Sequence, residues 1–186
     1  MQMGAGEHAA IVTRVSRGLG AALARELLGR GSTVLGIGRA SNVGLAGDDR
    51  YRFEHIDLAD AAATDTLLTE RFRDIEKRRP ISVCLLNNAA TVEAIGVLGW
   101  LSSGEISSAI ATNLSAAVTL ANLFCRVFTD SKVSRTVINI SSGAAEEALS
   151  GHAVYSVAKA GIEMLTLALA VEHERRPSGQ SPYGRA

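Results

Sequence analysis

The chain has 186 residues, of which 47% are hydrophobic, and its 19 basic side chains balance its 19 acidic ones. This length suits one domain with a continuous core and is short for two, so we expect a single domain over residues 1–186. The balanced charge argues against a nucleic-acid or anionic membrane partner, both of which favour clustered lysine and arginine.

Cys84 and Cys125 lie in apolar stretches outside any metal-binding or redox spacing, and the four histidines are scattered. We therefore expect reduced, buried thiols and no metal site. The first residues lack the pattern of a secretory signal, and no segment reaches the apolar length expected of a membrane span. These features predict a cytoplasmic protein without membrane contact.

Apolar runs alternate with helical patterns along the chain. Predicted strands cover residues 8–13, 32–37, 51–56, 81–86 and 135–140, and predicted helices cover 21–31, 61–78, 105–128 and 152–174. Because polar residues do not alternate within the runs, the strands should be buried on both faces. The pattern predicts a doubly wound parallel α/β sheet in three layers, followed by an irregular tail at 175–186.

The helices at 105–128 and 153–172 are apolar on nearly every side. A helix that lies on a sheet needs only one apolar stripe, so a second face must be covered. We expect a homodimer or homotetramer formed through these helices. The alternative is that other elements of the chain cover both faces.

Polar and glycine residues follow the predicted strands at their carboxyl ends, where open α/β sheets bind ligands. The turn Ser16-Arg17-Gly18-Leu19-Gly20 enters a helix, and its glycines would let a pyrophosphate approach the free N–H groups. The second strand is followed by Arg39 instead of an acidic residue. Arg17 and Arg39 together favour NADP over NAD.

A second cluster lies near residue 150. Tyr155 and Lys159 are four residues apart on a predicted helix, and Ser142 follows the last predicted strand. An ammonium one turn away would favour the phenolate form of Tyr155. This spacing predicts a proton-transfer site.

These motifs, in this order, resemble the short-chain dehydrogenase/reductase family over about residues 9–174. The likeness consists of TRVSRGLG at 13–20, NNAA at 87–90, Asn113, Ser142 and YSVAK at 155–159. It implies a Rossmann fold and an NADP-dependent oxidoreductase acting on a small carbonyl or secondary alcohol. The runs NNAATVEAIGVLG and ISSGAA look most like benzil reductase and sepiapterin reductase, which would suggest a diketone or pterin-like ketone substrate.

The resemblance also implies roles for individual residues. Tyr155 would be the general acid or base, Lys159 would hold the nicotinamide ribose, Ser142 would polarise the carbonyl, and Asn113 would help to hold a relay water. Asp57 would meet the adenine. The full set of implied cofactor-binding residues is Thr13, Ser16, Arg17, Gly18, Leu19, Gly20, Arg39, Asp57, Leu58, Asn87, Ala89, Tyr155 and Lys159.

The chain departs from the family pattern in three places. Arg14 replaces the first glycine of the loop, and its side chain would either crowd the adenosine or turn outward and add charge near a 2′-phosphate. Ala90 replaces the glycine of NNAG. The family continues into a sixth strand and a Pro-Gly turn that this sequence lacks, so we expect a shortened product with one pocket wall missing. A catalytically silent nucleotide-binding or oligomerising protein is therefore the alternative function.

Overall fold

The computed structural model describes residues 7–173, and the tail predicted at 175–186 lies outside them. One sheet contains β1 (His8–Thr13), β2 (Thr33–Gly38), β3 (Tyr51–His55), β4 (Ser82–Asn87) and β5 (Ser134–Asn139). All four pairings are parallel, in the order β3-β2-β1-β4-β5. The sequence-based strands agree within one residue at each end, and the prediction of a parallel sheet is confirmed.

The helices are α1 (Gly18–Gly29), α2 (Ala61–Lys77), α3 (Ser103–Ile110), α4 (Ala116–Val127) and α5 (Ala153–His173). A π-helical turn, Ala111–Ser115, joins α3 to α4, so the single helix expected at 105–128 is interrupted. It also starts earlier, because Ser102 and Glu105 form a capping box. Short 3₁₀ turns occupy Val43–Leu45 and Gly143–Ala145.

Both faces of the sheet are covered by helices. On one face Ile11 packs in a core with Phe72 of α2 and Phe124 of α4. On the other face Val12 packs with Leu28 of α1. Alternate residues of β1 therefore enter different cores, which confirms the three-layer Rossmann-like fold.

Strand β5 forms one edge of the sheet and is incompletely covered. Its residues are exposed or half-buried in the described part of the chain, and Ile138 is 42% exposed. The central strands β1 and β2 are, by contrast, almost wholly buried. Among the described residues, β5 is therefore a poorly covered edge strand.

The expectation that no segment is long and apolar enough to cross a bilayer was wrong. Two helical stretches, Ser103–Val127 and Ala153–His173, meet that length with mean hydropathies of 1.4 and 1.5. They do so because alanine, leucine and valine dominate them and charged residues are few. Core helices pass the same test, and the first stretch packs Leu120 and Phe124 against the sheet, so this is weak evidence for a membrane span.

Gly20 lets α1 approach the strand ends. A Cβ at this position would collide with the backbone carbonyl of Arg14 and lie 2.6 Å from Nδ2 of Asn88. We expect Gly20→Ala to lower the free energy of unfolding by about 1–3 kcal/mol, because the backbone must shift. Gly29→Ala is the matched control: a Cβ there meets nothing within 4 Å, so it should raise stability by about 0.5–1 kcal/mol. Urea unfolding of both variants tests this, and equal stability of the two would contradict it.

Candidate active site

The hydroxyl of Thr13 joins the ends of β1 and β4. Thr13 is 1% exposed, and its Oγ1 accepts hydrogen bonds from the amides of Asn88 (2.9 Å) and Ala89 (2.8 Å). It also donates to the carbonyl oxygen of Leu86 at 3.4 Å. In return, Nδ2 of Asn88 donates to the carbonyl oxygen of Thr13 at 3.0 Å. These bonds fix the two loops that form the crevice where the strand order reverses.

Arg14 adopts the left-handed backbone that the glycine pattern indicated, with a φ of 57°. Its amide donates to the carbonyl oxygen of Ile37 at 2.7 Å, which ties the loop to the end of β2. Its guanidinium donates to the carbonyl oxygen of Ala90 on the opposite side of the crevice. Arg14 and Ala90, which both replace glycines of the family motifs, are therefore in direct contact.

Asn42, which lies in the loop after β2, stabilises the glycine-rich loop, and nothing in the sequence pattern indicated this role. It is buried, its Nδ2 donates to the carbonyl oxygen of Val15 at 3.1 Å, and its Oδ1 accepts from the amide of Gly44 at 3.0 Å. The loop after β2 therefore holds the glycine-rich turn in place.

A cavity of about 410 Å³ opens at the carboxyl ends of the strands. It is bounded by parts of the glycine-rich loop, the ends of β2 and β3, and the segment that follows β4. The lining residues are Arg14, Ser16, Arg17, Gly38, Arg39, Ala40, Ile56, Leu58, Ala89, Ala90, Thr91, Glu93 and Thr112.

The structure brings some of the predicted cofactor residues together at this cavity and leaves others outside it. The lining contains Ser16, Arg17, Arg39, Leu58 and Ala89, whereas Thr13 and Gly20 support the loop from behind. Gly18, with a φ of 60°, and Leu19 begin α1.

Two other predicted residues point their polar groups elsewhere. The carboxylate of Asp57 accepts from the amide of Ala59 at 3.1 Å, and Nδ2 of Asn87 donates to Oδ1 of Asn139 at 2.8 Å. Neither residue lines the cavity. Thr91, Glu93 and Thr112 do line it and were missed, although Thr91 and Glu93 lie within three residues of the NNAA run.

The cavity suits a phosphate-bearing nucleotide. Arg14, Arg17 and Arg39 line it, and none of them forms an ion pair within the described residues. The first turn of α1 contains no acidic residue, and a side chain at Gly20 would collide with the loop. Unpaired guanidiniums beside an uncapped helix N-terminus are complementary to phosphate.

Tyr155 and Lys159 lie one above the other on α5, as predicted. The Nζ of Lys159 is 5.7 Å from the centroid of the Tyr155 ring. Lys159 is 3% exposed, and its Nζ donates to the carbonyl oxygen of Ile140, just beyond β5, at 2.7 Å. Burial lowers the pKa of Lys159, because a desolvated ammonium is disfavoured.

Ser142 follows β5 and begins the short turn Gly143–Ala145, which packs against α5. Its Oγ accepts a hydrogen bond from the amide of Ala144 at 3.3 Å, so the hydroxyl proton is left for another acceptor. Ser142 and Lys159 are both attached to the segment after β5, which places them at one end of the site.

Asn113 is buried in the π-helical turn, and both polar atoms of its side chain bond the backbone of Thr91. Its Oδ1 accepts from the Thr91 amide at 2.6 Å, and its Nδ2 donates to the Thr91 carbonyl oxygen at 2.8 Å. The side chain therefore positions the segment that follows β4. Such interruptions of a helix are frequent at functional sites.

Comparison with known proteins identifies the class. Residues 8–177 match the family model described as short chain dehydrogenase. The chain therefore belongs to the short-chain dehydrogenase/reductase family, oxidoreductases that bind nicotinamide cofactors and interconvert hydroxyl and carbonyl groups.

The relatives agree with the resemblance inferred from the motifs. Benzil reductase ((S)-benzoin forming) of Bacillus cereus is 34% identical over 87% of this chain and 67% of its own length. Sepiapterin reductase of Meriones unguiculatus is 30% identical over 91% of this chain and 70% of its own. A short-chain dehydrogenase/reductase structure from Burkholderia vietnamiensis is 34% identical, with a TM-score of 0.84 over 90% of this chain and 78% of its own.

The buried hydroxyl of Thr13 can be tested against a second buried threonine. Thr13→Val removes the acceptor of two amides, so we expect it to lower the free energy of unfolding by about 2 kcal/mol or more. Thr64 is 0% exposed and its Oγ1 has no partner among the described residues, so Thr64→Val should be neutral or stabilising. Urea unfolding of both variants measures the difference, and a cost at Thr64 equal to that at Thr13 would contradict this account.

Proposed function

We propose that this protein is an NADP-dependent reductase of small carbonyl compounds. The observation that carries the proposal is the pair of Tyr155 and buried Lys159. Lys159 is bonded just beyond the carboxyl end of β5, and the arginine-lined cavity also opens at the carboxyl ends of the strands. Carbonyl reduction requires a proton donor beside a bound nicotinamide, and both could be held at the carboxyl ends of these strands.

The proposed cofactor preference depends on charge at the end of β2. Arg39 follows β2 and lines the cavity together with Arg17, the first residue before α1, and no acidic residue takes the place of Arg39 to accept a ribose hydroxyl. Two guanidiniums can bind a 2′-phosphate, which NAD does not have. This supports NADP(H) over NAD(H), with Leu58 and Ala89 of the cavity lining beside the adenosine and Lys159 holding the nicotinamide ribose.

In the proposed mechanism, the bound nicotinamide supplies the hydride. The hydroxyl of Tyr155 donates a proton to the substrate oxygen, and Lys159 stabilises the phenolate that remains. The free hydroxyl proton of Ser142 bonds and polarises the same oxygen. Asn113 acts through Thr91, because its side chain fixes the segment after β4. We also propose that Asn113 helps to hold a proton-relay water.

The proposed substrate is a small diketone or a ketone on a pterin-like ring. The support is the similarity to proteins named benzil reductase and sepiapterin reductase. The test is a panel of benzil, other diketones and simple aldehydes, with NADPH consumption followed by absorbance.

We expect Tyr155→Phe to lower kcat by about 10²–10⁴-fold while NADPH affinity is retained, because only the proton donor is removed. Tyr51→Phe is the matched control, since the Tyr51 hydroxyl lies in the sheet near Ser41 and outside the site. Steady-state rates measure kcat and NADPH titrations measure the Kd for both variants, and only Tyr155→Phe should lose kcat. An unchanged kcat for Tyr155→Phe would contradict the assigned role.

The alternative function is a catalytically silent nucleotide-binding or oligomerising protein. It is favoured by Arg14 across the crevice and by the incomplete cover of β5. NADPH binding without turnover of any carbonyl on the panel would support this alternative.

The proposed location is the reducing cytoplasm. The thiols of Cys84 and Cys125 are both free in the structure, which supports this proposal.

We also propose a homo-oligomer formed through α5 together with the 105–128 helices. Val157, Met164, Leu167 and Val171 on α5 are each at least 60% exposed. Their spacing of seven, three and four residues places them on one side of the helix. An apolar stripe of this size on a helix usually contacts another surface.

Leu167→Glu should dissociate the proposed oligomer, because a carboxylate would be buried in an apolar contact. Val43→Glu is the control, since Val43 is 90% exposed and lies in the short 3₁₀ turn after β2, outside α4 and α5. Sedimentation velocity measures both. A wild-type chain that sediments as a monomer would refute the oligomer.

A further inference from the structure

Arg14 spans the crevice between the ends of β1 and β4. Its amide bonds Ile37, and its carbonyl oxygen accepts from Nδ2 of Asn88 at 3.4 Å, so the backbone is held on both sides. With a φ of 57°, the side chain leaves the loop toward the carbonyl oxygen of Ala90. The position of the guanidinium is therefore set by the fixed loop.

The guanidinium is available to an anion. It makes one side-chain hydrogen bond within the described residues, whereas a guanidinium has five N–H donors. Ion pairs of other arginines occur elsewhere in the described chain, at Arg30, Arg50, Arg71, Arg78 and Arg126. The acidic residue that lines the cavity is Glu93, so three unpaired guanidiniums face one carboxylate. This charge favours a ligand with several phosphate charges.

The order of the strands separates Arg39 from the other two arginines. Arg39 follows β2, whereas Arg14 and Arg17 lie in the loop after β1. Arg17 directly precedes α1, and the Arg14 side chain reaches toward the segment after β4, which is the side on which the Tyr155–Lys159 pair is attached beyond β5. A dinucleotide bound along the carboxyl ends of the strands, from β2 to β5, would have its bridging diphosphate near the end of β1. Resting on the proposed function, we infer that Arg14 binds this diphosphate, while Arg17 and Arg39 bind the 2′-phosphate.

This assignment makes Arg14 a binding residue that does not discriminate between the two cofactors. The diphosphate is common to NADPH and NADH, so loss of Arg14 should weaken both equally. On binding, the guanidinium exchanges the Ala90 carbonyl for phosphate oxygens, which form stronger, charge-assisted hydrogen bonds.

The experiment compares Arg14→Gln and Arg14→Lys with Arg39→Gln by calorimetric titration with NADPH, NADH, ADP and adenosine 2′-monophosphate. Both Arg14 substitutions keep a side chain at the left-handed position, so backbone strain is matched. Arg14→Gln should raise the Kd for NADPH, NADH and ADP by about tenfold and leave that for adenosine 2′-monophosphate unchanged. Arg14→Lys should lie between, and Arg39→Gln should weaken only NADPH and adenosine 2′-monophosphate.

Arg14→Gly separates strain from binding. It should raise the melting temperature and still lose ADP affinity as Arg14→Gln does. Equal or tighter binding of NADPH and NADH by the Gln and Gly variants would overturn the inference and leave Arg14 as an obstruction. A wild-type chain that binds neither NADPH, NADH nor ADP would overturn the proposed function as well.

Discussion

The hydrogen bonds of the Thr13 hydroxyl hold together the end of the sheet at which the arginine-lined cavity opens. They fix Asn88 and Ala89, and therefore also the position of Ala90, which Arg14 contacts, and of Thr91, which Asn113 contacts. Asn113 lies in the π-helical turn between α3 and α4. One buried side chain thus connects the glycine-rich loop to the helices on the far side of the site. The arrangement is stiff because each link is a bond to backbone atoms.

The proposed catalytic end depends on a different physical constraint, the burial of a charged side chain. Lys159 is nearly fully buried, and an ammonium in that environment loses hydration that its single bond to Ile140 replaces only in part. Binding sites often retain such unfavourable groups because the unsatisfied donors are available to a ligand. The buried lysine is therefore easier to explain by ligand binding than by stability of the fold.

The sheet could be predicted from sequence because each strand is a short apolar run bounded by polar or glycine residues. The placement of Tyr155 and Lys159 on one helix face was predictable from their four-residue spacing, and that of Ser142 from its position directly after an apolar strand. Contacts between distant segments could not be predicted: Thr91 and Asn113 are 22 positions apart, and nothing in their types indicates the pairing. The sequence indicated the left-handed backbone of Arg14, but it gave no sign that the side chain would bond the carbonyl oxygen of Ala90.

The π-helical turn has a consequence for how the chain can change in length. It contains one more residue than a regular α-helical turn, so losing one residue would leave a regular helix with α3 and α4 nearly in phase, whereas an insertion or a longer deletion would rotate one relative to the other by about 100° per residue. Ala109 would then lose its core with Val154, or Leu120 would lose its place beneath the sheet. Natural variants of this protein should therefore tolerate the loss of one residue from 111–115 better than an insertion or a longer deletion, provided that Asn113 keeps its bonds to Thr91.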